Sequence, residues 1–183
     1  MTTAPTKSSL KESPLADLIK NYSHYNYWAN LTLIDWLKTK SSEALQKTIP
    51  SSFAGIELTL RHLWRTEEFW LDIIKDEKGG AHTDSKVDVP EPTLIELFDL
   101  LLENSLEFLH YAKQLDQDSL AKKIHVISPW FECNISRYEF ILHTVNHSTY
   151  HRGQITSIGR RLGFTDAPMT DYNFFLIHQT NVF

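Results

Sequence analysis

The feature that most constrains the fold of this chain is a set of four long segments whose apolar residues recur at helical spacing. The first segment begins at Pro14, which suits the first turn of a helix with Ser13 as its N-cap, and ends near Lys40. The second runs from about 55 to 78 and is stopped by Gly79–Gly80. The apolar stripe of the first helix consists of Leu15, Leu18, Tyr22, Tyr25, Ala29, Leu33 and Trp36.

Two capping boxes predict where the other two helices begin. The sequence TLIE, Thr93 to Glu96, opens the third helix, and SRYE, Ser136 to Glu139, opens the fourth, which ends near Gly163. Between them, KKIHVISPWFECNI has β-favouring residues on both sides of a Ser-Pro turn, which predicts a small hairpin or an irregular crossover. Residues 170–180 are expected to add one short helix.

Length and composition support one all-α domain, a four-helix bundle over residues 14–183 that follows a flexible tail at 1–13. The chain has 183 residues, of which 42% are hydrophobic and 22% charged, as in globular proteins. A net charge of −5 without a cluster of Lys or Arg argues against nucleic-acid binding. No apolar run approaches the roughly 20 residues of a membrane span, and no signal peptide is recognisable. Since the chain has a single cysteine, Cys133, we expect no disulfide framework, no thiolate zinc cluster and a cytoplasmic location.

The stretch HTVNHSTYHRGQI in the fourth helix contains three histidines that a helical wheel separates. With Ile141 at 0°, His151 falls at about −80°, inside the apolar arc, and His147 at about −120°, at its edge. His143 falls near −160°, which predicts a surface residue. Because His147 and His151 are one turn apart, both imidazoles can reach one metal ion.

His62 on the second helix is the candidate third ligand. It shares an apolar stripe with Leu58, Thr66, Phe69 and Ile73, and an inward imidazole without a partner would be costly. The alternative is a core histidine bonded to a neighbouring side chain or carbonyl; the inward pair on the fourth helix favours the metal. For the other histidines we expect surface positions or local packing: His24, His82, His110, His125 and His178.

Several other polar residues lie on or near the inward faces. Asn26 and Thr66 are candidates for the pocket or for supporting the ligands, with simple core hydrogen bonding as the alternative. Arg152 lies mid-arc and either binds an anionic substrate or makes a buried ion pair or an inter-subunit contact. Glu67 and Glu68 fall about 120° to 140° from His62, so a solvated helix face is expected for both. No catalytic acid or base is assigned, and Cys133 is expected to be an ordinary small residue.

Three segments resemble the DinB/YfiT-like superfamily: YNYWAN at 25–30, RHLWRTEEFWL at 61–71 and NHSTYHRGQI at 146–155. The last is the most specific, because its histidines, tyrosine and RGQ fall in the family's order and spacing. The resemblance covers about residues 15–178 and implies an up-down-down-up four-helix bundle, often a homodimer. It also implies one divalent metal ion held by His62, His147 and His151. Relatives include transferases and isomerases that use low-molecular-weight thiols such as bacillithiol or mycothiol.

These observations lead us to expect a metal-dependent enzyme that acts on a small molecule. Three neutral imidazoles leave an open coordination position, as in catalytic zinc sites, where an ion activates water or a thiol. The reaction would be thiol transfer or hydrolysis, with zinc or nickel as the expected ion, although imidazole also suits copper and iron. The alternatives are a non-catalytic metal-binding bundle with a structural or stress-related role, and an interaction protein without metal.

Overall fold

The computed structural model describes residues 13–75, 80–81 and 91–179. Its four long helices are α1 (Pro14–Lys38), α3 (Ile56–Lys75), α4 (Leu94–Gln114) and α6 (Arg137–Arg161). Short helices are α2 (Ser42–Leu45), α5 (Gln117–Ala121) and α7 (Tyr172–Gln179), and the strands are β1 (Gly80–Ala81), β2 (Lys123–Ile127) and β3 (Glu132–Ser136). The predicted all-α four-helix bundle is confirmed. The expected N-terminal tail, apart from Ser13, and the expected end of the second helix at 76–79 lie outside the described residues.

The long helices run up, down, down and up. Helix α1 packs against α4 and α6, and α3 packs against the same two, so α1 and α3 are diagonal. Tyr22 on α1 bonds to Asn146 on α6, and Trp36 further along α1 bonds to Asp166 beyond the end of α6. Helices α1 and α6 are therefore parallel. Contacts of α3 with the start and the later turns of α4 follow the same order, which makes those two parallel as well.

The helices start where the sequence predicts, but the predicted capping hydrogen bonds are not all present. Thr93 caps α4 in a complete capping box with Glu96, as predicted. Ser136 is the N-cap of α6, but its side chain makes no capping hydrogen bond, so the second capping box was wrong. Ser136 is also the last residue of β3, where it pairs with Lys123.

The predicted hairpin is confirmed, because β2 and β3 pair antiparallel from Lys123↔Ser136 to Ile127↔Glu132. Strand β1 adds a short parallel pairing on the other side of β2. The hairpin connects the end of the third long helix to the start of the fourth and places Trp130 and Phe131 at its turn. These two rings become part of the site described below.

Buried apolar residues form two clusters stacked along the bundle. One contains Ile19, Tyr25 and Phe108, and the other contains Leu33, Leu63 and Leu101. Between the clusters lies a layer of buried polar side chains from all four long helices, which includes Asn26, Asn30, Glu67, Ser105, Ser148 and Arg152. Among the described residues, no helix is both long and apolar enough to cross a membrane.

Candidate metal centre

The structure brings together the three histidines that the sequence selected. His147 and His151 occupy successive turns of α6, and His62 faces them from α3. The Nε2 atoms of His62 and His147 are 3.2 Å apart, and those of His151 and His147 are 3.0 Å apart. Ligand nitrogens of a tetrahedral zinc ion, each about 2.0–2.1 Å from the metal, are separated by roughly 3.3 Å. The spacing therefore fits one ion.

Neighbouring groups orient two of these imidazoles towards that point. His151 Nδ1 is 2.8 Å from Oε1 of Gln154, an acceptor, so Nδ1 carries the proton and Nε2 presents a lone pair. The hydroxyl of Thr66 lies 3.5 Å from Nδ1 of His62 on the same side of α3. Three imidazole nitrogens that converge at about 3 Å can direct their lone pairs to one cation, so the donor set fits a metal.

The histidines are neutral at neutral pH, which metal binding requires. Burial and the neighbouring His151 lower the pKa of His62 to about 4. Burial, His151 and His62 lower the pKa of His147 to about 3. The pKa of His151 is also lowered, because the effect of burial is larger than that of the hydrogen bond to Gln154, which raises the pKa. Protons therefore compete weakly with a metal ion at this site.

The loop between α2 and α3 covers the triad with an aromatic ring. Phe53 stacks on His62 with ring centroids 4.0 Å apart and approaches His151 edge-on at 5.5 Å. Gly55, two residues later, has φ of 140°, and a Cβ there would lie 2.8 Å from the carbonyl oxygen of Lys47. The turn thus depends on glycine, and it holds Phe53 over the histidines. Phe53 was missed from the sequence because its loop has no periodic pattern.

The histidines expected not to bind the metal lie outside the triad where the structure describes them. His143 is exposed, but its ring lies 6.0 Å from that of His147 and 4.6 Å from that of Trp70, so it borders the site. His24 packs edge-on against Phe175, and His125 pairs with Glu132 at the surface. His110 and His178 are exposed, and His82 lies outside the described residues.

The helical wheel for α3 was correct about His62 but wrong about which face is the core. The fully buried residues of this helix include Leu60, Leu63, Glu67 and Ile74, which centre roughly 120° to 140° away from His62. Leu58, by contrast, is 49% exposed. Helix α3 has two apolar faces, and the one that carries His62 lines a cavity for most of its length.

Glu67, expected on a solvated face, is only 1% exposed, so that prediction was wrong. Its carboxylate accepts hydrogen bonds from Ser105 Oγ at 2.6 Å, from Asn26 Nδ2 at 3.0 Å and from Ser148 Oγ at 3.3 Å. Burial raises the pKa of Glu67, and these hydrogen bonds oppose the shift. Glu68, its neighbour, is half-buried.

Arg152 lies in the same layer and is 2% exposed. Its Nη1 donates to Oδ1 of Asn26 at 3.0 Å and to Oδ1 of Asn30 at 2.8 Å, and both amides donate in turn to Glu67. The two charges are therefore bridged by asparagines. Arg152 does not line the cavity, so it cannot bind an anionic substrate in the cavity. Arg152 is therefore a buried charge that is balanced inside the bundle, and Asn26 makes hydrogen bonds within the core.

A cavity of about 1060 Å³ opens on the His62 side of the triad, with His62 and Thr66 in its wall; His147 and His151 are not part of that wall. The rest of the wall comes from the loop before α3, from α3 itself, from Glu91 before α4 and from the hairpin turn, with Trp70 and Trp130 among its rings. Cys133 is not part of this wall, and burial raises the pKa of its thiol, which makes it a poor nucleophile.

The chain is similar to the members of one protein family. The sequence model of the DinB family matches residues 13–181. The Protein DinB of Bacillus subtilis (strain 168) is 29% identical over 169 residues, which are 88% of this chain and 95% of that protein.

Two solved structures share the fold. YfiT from Bacillus subtilis, described as a probable metal-dependent hydrolase with an unusual four-helix bundle topology, superposes with a TM-score of 0.64 at 13% identity. The alignment covers 89% of this chain and 95% of YfiT. A DinB-like protein of Bacillus subtilis, YjoA, gives 0.57 at 14% identity over 87% and 99% of the two chains.

Proposed function

This chain belongs to the DinB family, and we propose that it is a metal-dependent enzyme whose site is the triad of His62, His147 and His151. The observation that carries the proposal is the convergence of three Nε2 atoms beside a cavity large enough for a small-molecule substrate. A divalent ion held by neutral imidazoles supplies a Lewis acid that lowers the pKa of water or of a small thiol towards neutrality.

The chain's own residues have separate tasks in this proposal. The three histidines bind the ion, and Gln154 holds the tautomer of His151 that leaves Nε2 free. Phe53 covers His62 and His151 and excludes water from one side of the triad. The cavity on the side of His62 admits the substrate.

Hydrolysis is the reaction we favour, and thiol transfer is the second candidate. YfiT is described as a probable metal-dependent hydrolase, and the same donor set activates water. Thiol transfer would need a thiol from outside the chain, because the single cysteine, Cys133, is away from the cavity and its pKa is raised. Zinc or nickel is the expected ion for either reaction. The homodimer stays a prediction, which sedimentation velocity tests.

Metal content and turnover in matched variants test the proposal. We expect about one divalent ion per purified chain by elemental analysis, with hydrolysis of 4-nitrophenyl acetate that chelation abolishes and metal restores. His62→Ala and His147→Ala should lose both the ion and turnover. His110→Ala is the control, since His110 is exposed on α4 and belongs neither to the triad nor to the cavity wall. Far-UV circular dichroism checks that each variant is folded.

The outcomes separate the candidates. Retention of stoichiometric metal by His62→Ala or His147→Ala would refute the ligand set. Bound metal without turnover of esters, and without conjugation of a low-molecular-weight thiol to 1-chloro-2,4-dinitrobenzene, would favour the non-catalytic metal-binding bundle. A large loss of thermal stability on chelation would then identify the ion as structural.

A further inference from the structure

The second apolar face of α3 indicates what the cavity binds. Leu58 and Phe69 share this face with His62 and line the cavity, and Phe69 also packs against the core with its other side. Leu58 is 49% exposed and Trp130, across the cavity, is 65% exposed. Large apolar side chains left in contact with water at a concave site mark a binding surface for an apolar group.

The aromatic rings of the cavity wall are packed against one another. Trp70 stacks on Phe131 with centroids 5.7 Å apart and planes at 21°, and it meets Phe69 edge-on at 5.2 Å. Trp130 stands edge-on to Phe69 at 6.2 Å. Rings held in this way present fixed faces and edges, which favour another flat ring over a flexible chain.

The charged groups at the cavity compensate one another. Arg61 donates to Glu57 at 2.6 Å and to Glu91 at 2.8 Å, and Arg65 pairs with the other oxygen of Glu91. Both guanidinium groups in the wall thus have carboxylate partners. Nε of Arg65 is left without a hydrogen-bond partner, but an anionic ligand would still compete with these carboxylates, whereas a neutral ligand leaves both ion pairs in place.

We infer that the cavity binds a neutral aromatic group, and that one or two fused rings lie against the surface formed by Trp130, Phe69 and Trp70. A volume of about 1060 Å³ accommodates such a molecule with a reactive group directed to His62. That this molecule is the substrate rests on the proposed metal-dependent function; that it binds here rests on the cavity wall alone.

Tryptophan indole N–H signals locate the binding. Two of the 5 tryptophans, Trp70 and Trp130, line the cavity, and the others do not. Titrating the full chain with 2-naphthol in ¹H–¹⁵N spectra should shift the signals of these two and leave the rest in place. The anion 2-naphthoate and the non-aromatic cyclohexanol should bind more weakly. The titration is run on protein as purified and after chelation, and binding should persist in both.

Variants then test the aromatic contact. Trp130→Ala should weaken 2-naphthol binding roughly 3- to 10-fold, the loss expected for one aromatic contact. Ile177→Ala, which removes another exposed apolar side chain on α7, should leave the affinity unchanged. Because Trp130 is mostly exposed, its loss should not unfold the protein.

Three results would overturn the inference. The first is equal shifts of all tryptophan signals, which indicate non-specific binding. The second is tighter binding of 2-naphthoate than of 2-naphthol, which would mean that Arg61 and Arg65 recognise anions. The third is a Trp130 signal that moves with protein concentration alone, which would mean that a second copy covers the cavity. Loss of metal binding or turnover with 2-naphthol binding intact would refute the proposed function and leave this inference standing.

Discussion

Replacing Glu67 with alanine should destabilise the protein far more than the change of one glutamate on a helix normally does. The carboxylate is 1% exposed and accepts hydrogen bonds from Ser105, Asn26 and Ser148. Its removal leaves those donors without an acceptor and leaves the guanidinium of Arg152, 2% exposed, without a buried counter-charge.

The expected magnitude follows from these contacts. Removing one partner of a buried, hydrogen-bonded charge pair costs about 3–5 kcal/mol of unfolding free energy. For a chain of this size each kcal/mol lowers the melting temperature by about 2–4 °C, so Glu67→Ala should melt roughly 6–20 °C lower than the parent. The double variant Glu67→Leu/Arg152→Leu should lose less than the sum of the single changes, because neither charge is then left alone.

Urea unfolding followed by circular dichroism measures the loss. Glu103→Ala on α4 is the control, since Glu103 is exposed and its replacement should change stability by less than about 0.5 kcal/mol. If Glu67→Ala loses no more than about 1 kcal/mol, or if the double variant shows no coupling, the polar layer does not hold these charges in the way described.

The remaining predictions concern the metal ligands and the packing of α6. Gln154→Ala should weaken metal affinity about 10- to 100-fold while the bundle stays folded, as measured by chelator competition. Affinity should fall only slightly between pH 7.5 and 5.5, because protonation of His62 and His147 begins near their lowered pKa values of about 4 and 3; a triad with ordinary pKa values would lose roughly 10-fold per histidine. Gly159→Ala should cost about 1–3 kcal/mol, because its Cβ would lie 2.8 Å from the Trp36 ring. Gly153→Ala, with nothing within 4 Å of its Cβ, should be neutral or stabilising by up to about 1 kcal/mol in the same thermal-melt series.

The ligand triad was predictable because it depends on short-range geometry. His147 and His151 are one turn apart on a helix that the periodicity identifies, so their common direction follows from the rise and rotation of the helix alone. His62 was found because it lies on a visible apolar stripe. The orienting role of Gln154 follows the same rule, since it lies three residues after His151.

The error over Glu67 shows where a single helix stops being informative. A helical wheel shows that two faces of α3 carry apolar residues, but it does not show which of the two packs against the other helices. The up-down-down-up arrangement places α1 diagonally across from α3, and this brings Asn26 and Asn30 to Glu67 through the centre of the bundle. A carboxylate that looks solvated in isolation is thereby buried.

The sequence by itself determined the four helices, the hairpin and the direction of the paired histidines, because each depends on residues that are neighbours along the chain. Only the tertiary structure decided that one apolar face of α3 lines a cavity and that Glu67 and Arg152 share a buried layer. It also decided that Phe53, from a loop without any periodic pattern, stacks on His62. These features arise from groups distant in sequence that meet only when the helices pack, and no local pattern encodes such a meeting.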